Sequence, residues 1–189
     1  MRQHNSRALI AYANSSIRLD ASLKALNTSV NNFSPVSLTT VGGILDVLKA
    51  SDKVGDAIMD TTKFVNASSA FSFDDSVTIF QKISYLQPDI YSLLNNLAVS
   101  RPKFDEVAVV LSVRKTVLSA LTLDRELTKE LATAITAKLY STLQNAGPVI
   151  GQQIDDHFQF TISVYDKQQK GLELPAIPSN VKNGMVVNY

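Results

Sequence analysis

The sequence predicts an all-α protein, an antiparallel bundle of about five helices. Apolar residues recur at steps of three and four through every long segment. No stretch of any length alternates with the period of a strand, and prolines and Ser/Gly clusters punctuate the chain at helix-length intervals. The organising stretch is Val77 to Leu139, where two apolar-striped segments flank Arg101-Pro102-Lys103-Phe104-Asp105.

The first helix is expected from about Ser6 to Asn32, with Ile10, Ala13, Ile17, Leu23, Leu26, Val30 and Phe33 on one side and Pro35 as its stop. A second begins near Ser37 or Thr39, whose hydroxyls suit an N-cap, and carries Val41, Ile44, Leu45, Leu48, Val54, Ile58 and Val65. Gly42-Gly43 marks either a frayed start or the close approach of a neighbour. Asn66 to Phe73 reads as a connection. Asp74-Asp75 then supply the cap and first-turn negative charge of a third helix, striped by Phe80, Ile83, Leu86, Ile90, Leu94 and Leu97 and kinked at Pro88.

Pro102 lacks a backbone donor and disfavours helical geometry at Arg101, so the third helix is expected to end there and fold back in a hairpin. The fourth runs from about Asp105 or Val109 to Leu139 through Val110, Val113, Val117, Leu121, Leu127, Leu131 and Ile135. Thr122 and Asp124 interrupt this stripe, and either one long helix or two shorter ones fits. The fifth, from about Thr142 to Lys167, has the cleanest stripe, Ile150, Ile154, Phe158, Ile162 and Tyr165. Gly147-Pro148 either bends its start or is its start. From Gly171 onward prolines and glycine break the pattern. The chain therefore divides into a helical domain, 1–168, and an extended tail, 169–189.

Composition narrows the function classes. Hydrophobic residues at 45% suffice for a core, and 18 basic against 17 acidic residues leave no excess to hold nucleic acid. With no cysteine and only His4 and His157, thiolate chemistry and histidine-rich metal sites are absent, and no cofactor is implied. No run of 18 apolar residues exists to span a membrane, and Ala8 to Ala13 is too short and polar for a secretory signal.

Catalytic patterns are equally sparse. Asp155-Asp156-His157 are adjacent on a helix, so they point about 100° apart and read as a solvated face. No serine has a nucleophile-elbow context and no glycine-rich loop follows a strand. Ser51, Thr62, Ser84, Ser112, Ser119 and Thr128 lie on or beside the apolar stripes. Such hydroxyls either bond their own backbone or meet the polar head of an apolar ligand. Asn14, Asn27, Asn32 and Asn66 each begin an N-glycosylation acceptor pattern.

Several motifs in this order resemble a known family. They are Leu93-Leu94-Asn95-Asn96-Leu97, Arg101-Pro102-Lys103-Phe104-Asp105, a long helix, and the ending made by Asp155, Phe158, Ile162 and Tyr165. Together they are similar to the fungal hydrophobic surface-binding protein family, which includes the antigenic cell-wall galactomannoproteins. The resemblance covers roughly Ile10 to Tyr165. It implies a secreted or cell-wall, helical, non-catalytic protein that adsorbs to hydrophobic surfaces or binds fatty acids or other lipids in an apolar tunnel.

On that implication the expected tunnel lining is Leu45, Leu48, Ile58, Phe80, Ile83, Ile90, Val110, Val117, Leu121, Ile154, Phe158 and Ile162. A dry core would use the same side chains. The alternative is a fully packed bundle serving as a structural or protein-interaction module. The sequence leaves the lipid's identity and the oligomeric state open.

Overall fold

In the computed structural model, residues 2–35, 40–111 and 113–166 are described, with side chains for 12–35, 42–107 and 113–166. The expected tail at 169–189 and the cap candidates Ser37 and Thr39 lie outside them. Helix α1 (Arg2–Asn32) is followed by α2 (Thr40–Ala67), α3 (Phe73–Leu111), α4 (Val113–Lys138) and α5 (Ala146–Asp166). A single 3-10 turn, Ser141–Leu143, joins the last two.

Local chemistry sets most boundaries. α1 stops short of Pro35, as its ring requires. Gly43 opens α2 where the Phe33 ring presses on it, 3.3 Å from where a Cβ would sit, so the close approach is the reason for the glycine. The cap of α3 is Ser72 rather than Asp74. Its hydroxyl oxygen accepts from the Asp75 N–H at 3.2 Å and the hydroxyl donates to the Asp75 carboxylate at 2.7 Å. Asp74 and Asp75 occupy the first turn, where negative charge suits the helix dipole. Replacing Ser72 by alanine is expected to cost about 1 kcal/mol. An unchanged denaturant midpoint would show that the helix starts without this cap.

The expected hairpin at Arg101–Asp105 does not form. α3 continues through both Pro88 and Pro102 to Leu111. Tertiary packing outweighs the missing N–H. Phe104, fully buried, stacks on Phe33 with ring centroids 4.6 Å apart and lies 6.5 Å from the Tyr165 ring. Arg101 and Asp105 pair across the proline turn at 3.1 Å. α4 is likewise unbroken at Thr122 and Asp124. The α5 helix begins at Ala146, so Gly147-Pro148 forms its first turn.

The helices close into a ring in the order α1, α2, α4, α5, α3, each packed on its two neighbours. Polar ties report the directions. Lys24 reaches Asp89 and Asn96 donates to the Asn27 side chain at 2.8 Å, so α1 and α3 run parallel. Gln87 meets Gln153, and the Tyr165 hydroxyl donates to the Leu97 carbonyl at 2.8 Å, so α3 and α5 run parallel too. Arg114, at the start of α4, donates to the carbonyls of Tyr165 and Asp166 and closes the end of α5. α4 and α5 are therefore antiparallel.

Inward positions of α1 follow an unbroken alternation of four and three: Tyr12, Ser16, Leu19, Leu23, Leu26, Val30 and Phe33 are all buried. Ile17, expected on this stripe, is 60% exposed because Ser16 holds the inward place. The solvated face expected at Asp155-Asp156-His157 holds only for Asp156, which is exposed. His157 is buried and stacks on Tyr91 with ring centroids 3.7 Å apart, while its Nδ1 lies 2.9 Å from the Gln153 carbonyl. Asp155 makes a two-pronged ion pair with Arg125 at 2.5 and 2.9 Å. The α4–α5 interface holds Asp155 against Arg125, and the α3–α5 interface holds His157 against the Tyr91 ring, where its Nε2 has no hydrogen-bond partner.

Candidate ligand cavity

The ring encloses an apolar cavity of about 120 Å³. From α1 come Leu19, Leu23 and Leu26, and from α2 Val47, Leu48, Val54 and Ile58. Helix α3 adds Phe80, Ile83, Leu86 and Ile90, while α4 adds Val117, Leu121, Leu131 and Ile135. Ile150, Ile154 and Phe158 of α5 complete the wall. Heptad positions converge on the axis of a ring, and five helices leave a larger axial space than four.

Of the expected lining, Leu48, Ile58, Phe80, Ile83, Ile90, Val117, Leu121, Ile154 and Phe158 stand on this wall. Leu45 does not. It is 47% exposed on the outside of α2, because Ile44 and Val47 take the inward turn positions around it. Ile162 packs against the core away from the cavity wall. The Val110 side chain lies outside the described residues.

Against the outer side of the α4–α5 interface runs a groove of about 450 Å³. It shares Thr128, Ala132, Thr136, Gly147, Gly151 and Phe158 with the cavity. The partition is thin because the side chains are small. A Cβ on Gly147 would collide with the Thr136 side chain, and one on Gly151 would touch the Ala132 Cβ at 3.5 Å. Arg125, Lys129, Gln152 and Asp155 line the groove's polar side.

A few polar side chains interrupt the apolar wall. Ser16, Ser51, Thr61, Asp124, Thr128 and Thr136 line the cavity. Of the hydroxyls singled out in the sequence, Ser51 and Thr128 are on the wall. Thr62 bonds the Ile58 carbonyl, Ser119 is exposed, and Ser112 lies outside the described residues.

Sequence reasoning missed Ser16, Thr61 and Thr136 on this wall, and Asp124, which it read only as an interruption of the stripe. Asp124 is 8% exposed, and the Ser51 hydroxyl donates to its Oδ2 at 3.4 Å. Burial pushes its carboxyl up to about 7, the Asp52 charge adds to the rise, and the Ser51 hydrogen bond opposes it. The signal was present in the spacing. Val117, Leu121, Asp124, Thr128, Leu131 and Ile135 step by four and three, which assigns Asp124 and Thr128 to inward positions.

The family model for hydrophobic surface binding protein A matches residues 13–137, most of four helices that form the cavity. The chain belongs to the hydrophobic surface binding protein A family. No curated protein matches it significantly in sequence.

Solved structures support the fold of this family member. AFMP4P in complex with palmitic acid superposes with a TM-score of 0.77 at 22% identity, covering 83% of this chain and 99% of that one. Ligand binding domain 1 of Penicillium marneffei MP1, complexed with arachidonic acids, gives a TM-score of 0.73 at 10% identity over 84% and 98% of the two chains. Domain 2 of the same protein, complexed with multiple arachidonic acids, gives 0.72 at 12% identity over 82% and 94%.

Proposed function

We propose that this family member binds the acyl chain of a fatty acid or other lipid inside the helix ring, as a secreted, non-catalytic carrier. The observation that carries the reading is the apolar cavity on the ring axis. An interior of this size, lined by Leu, Ile and Phe, excludes water and takes up apolar molecules; a dry cavity of about 150 Å³ holds a benzene. A long acyl chain is larger, and the groove adjoins the cavity across only the thin partition at Gly147 and Gly151. Each methylene removed from water contributes roughly 0.8 kcal/mol. The fatty acids in AFMP4P and in both MP1 domains support the same choice of ligand.

A binding role also fits the chemistry of the wall. The Ser51 hydroxyl is engaged by Asp124, and the ring of His157 is stacked on Tyr91. Neither forms part of a nucleophile–base pair. Among the described residues no three His, Cys, Asp or Glu side chains converge to hold a metal ion.

Native mass spectrometry of protein purified without added lipid tests the reading, followed by denaturation and identification of released molecules. A mass excess of fatty-acid or phospholipid size is expected. Ile83 and Val117 both line the cavity, so Ile83→Trp and Val117→Trp are each expected to lower lipid occupancy at least about tenfold by filling the space. Unchanged occupancy in both variants, with the helical circular dichroism retained, would refute a ligand on the ring axis.

A further inference from the structure

We infer that a bound fatty acid lies across the α4–α5 seam, with its acyl chain in the cavity and its carboxylate outside, on Lys129 in the groove. The inference rests on the lipid-binding reading above and adds where the head group sits and which residue holds it.

The cavity itself is a poor place for an anion. Among its described lining residues there is no Lys, Arg or His, and Asp124 already puts a carboxyl on the wall. A charge in apolar surroundings without a cation is costly. The serine and threonine hydroxyls of the wall already have acceptors within the protein. Ser16 donates to the Ala13 carbonyl at 2.9 Å, Thr61 to Ala57 at 2.6 Å, Thr128 to Asp124 at 2.7 Å and Thr136 to Ala132 at 2.8 Å. Ser51 donates to the Asp124 side chain. The Tyr12 phenol also lines the wall, but burial keeps it protonated and it cancels no charge. Size points the same way. The cavity, at about 120 Å³, is smaller than the roughly 150 Å³ that holds a benzene, so a long chain must extend beyond it.

The groove supplies what the cavity lacks. Its ionisable lining residues are Arg125, Lys129 and Asp155, two cations against one acid. Asp155 takes both prongs of Arg125, which leaves Lys129 to balance a further anion. The other acid beside Lys129 is Glu126 on its own helix, 3.7 Å away with the two side chains 50% and 55% exposed. An exposed pair of that kind holds its members weakly. Lys129 stands one turn of α4 from Ala132, the residue that a Cβ on Gly151 would touch. Ala132 and Thr136 face Gly147 and Gly151 there, so no long side chains interlock between cavity and groove. Among the described residues the polar ties between α4 and α5 are made by Arg125 and Arg114, and none joins these four. The seam therefore parts at this point with the loss of few contacts, and a chain that enters here leaves its head beside Lys129.

Two measurements test it, one on the head group and one on the seam. At about pH 8, where the acid is ionised, Lys129→Gln is expected to weaken dodecanoate about fivefold relative to dodecanol. Both ligands are read by displacement of the neutral fluorophore N-phenyl-1-naphthylamine. Lys129→Arg, which keeps the charge, is expected to hold the wild-type ratio. For the seam, the protein has no cysteine, so Ala132→Cys with Gly151→Cys introduces the only two thiols. The 3.5 Å between the two Cβ positions suits a disulfide. Stopped-flow uptake of the fluorophore is expected to slow at least about tenfold in the oxidised double variant and to recover on reduction. Should that variant lose its helical circular dichroism, the ratio in Lys129→Gln decides alone. A ratio unchanged in Lys129→Gln, or one that falls equally in Lys129→Arg, would overturn the inference. So would equal uptake rates before and after reduction, and in each case the lipid-binding reading stands. A wild type that takes up no fluorophore, or whose fluorophore neither ligand displaces, would overturn both.

Discussion

Phe104→Ala is expected to destabilise the protein by about 3–5 kcal/mol, the range for emptying a large aromatic site in a core. Phe104 is 0% exposed and sits where the ends of α1, α3 and α5 meet. Its ring stacks on Phe33 at 4.6 Å and approaches Tyr165 at 6.5 Å. Offset aromatic pairs of this kind add to simple burial. The same contact keeps α3 helical two residues beyond Pro102, a position that by itself costs helix about 3 kcal/mol. Losing the ring removes both the burial and the reason to bridge the proline. Domains of this kind carry about 5–15 kcal/mol in total, so the variant should unfold at a much lower denaturant midpoint. Circular dichroism in a urea series measures it. A change below about 1 kcal/mol would mean that α3 crosses Pro102 for another reason.

The second large effect is a reversal of pH dependence at Asp124. Its folded carboxyl is pushed up to about 7, mainly by burial, while in the unfolded chain it titrates near the ordinary 3.8. The folded state thus keeps a proton that the unfolded state releases between those values. This group's contribution is fully present below about pH 4 and is lost as pH rises toward 7. Each pH unit in that window corresponds to at most about 1.4 kcal/mol. Asp155 acts in the opposite sense. The hydrogen bond from Arg125 holds its carboxyl below the usual range, so its stability is present above that range and lost on acidification. The wild-type profile contains both, and the difference from Asp124→Asn isolates one. The variant is expected to gain on the wild type as pH rises from about 5 to 8, reaching about 1–3 kcal/mol. Parallel stability curves for the two proteins would sink the assignment.

The helices themselves were legible in the sequence. Pro35 ends α1, the Asp74-Asp75 turn opens α3, and Gly147-Pro148 opens α5 because each acts through local backbone chemistry. The misreadings share one cause, tertiary contacts that overrule a local rule. Pro102 reads as a terminator until Phe104 is seen between Phe33 and Tyr165. His157 reads as solvated until Tyr91 covers it. Ser16 and Asp124 hold inward heptad places, and treating polar residues as outward promoted Ile17 and masked the carboxyl on the wall. Leu45 and Leu48 are both apolar on α2, but only the second faces the axis. The cavity had no signature of its own, because it follows from the order in which five helices close, and periodicity is silent on that order.

That closing order shapes how the chain acquires its structure. Only α1–α2 and α4–α5 join helices that are consecutive in sequence among the neighbours of the ring. The remaining seams tie residues far apart: Asn27 to Asn96 spans 69 positions, Leu94 to Thr161 67, Ser68 to Lys138 70 and Ser51 to Asp124 73. Each such seam closes a long loop before its contacts offset the lost chain entropy. Two helical hairpins can therefore assemble early and locally, while α3 docks between them late. The barrier to reaching the native state is that of a high-contact-order helical protein, slower to fold than a bundle wound in simple succession.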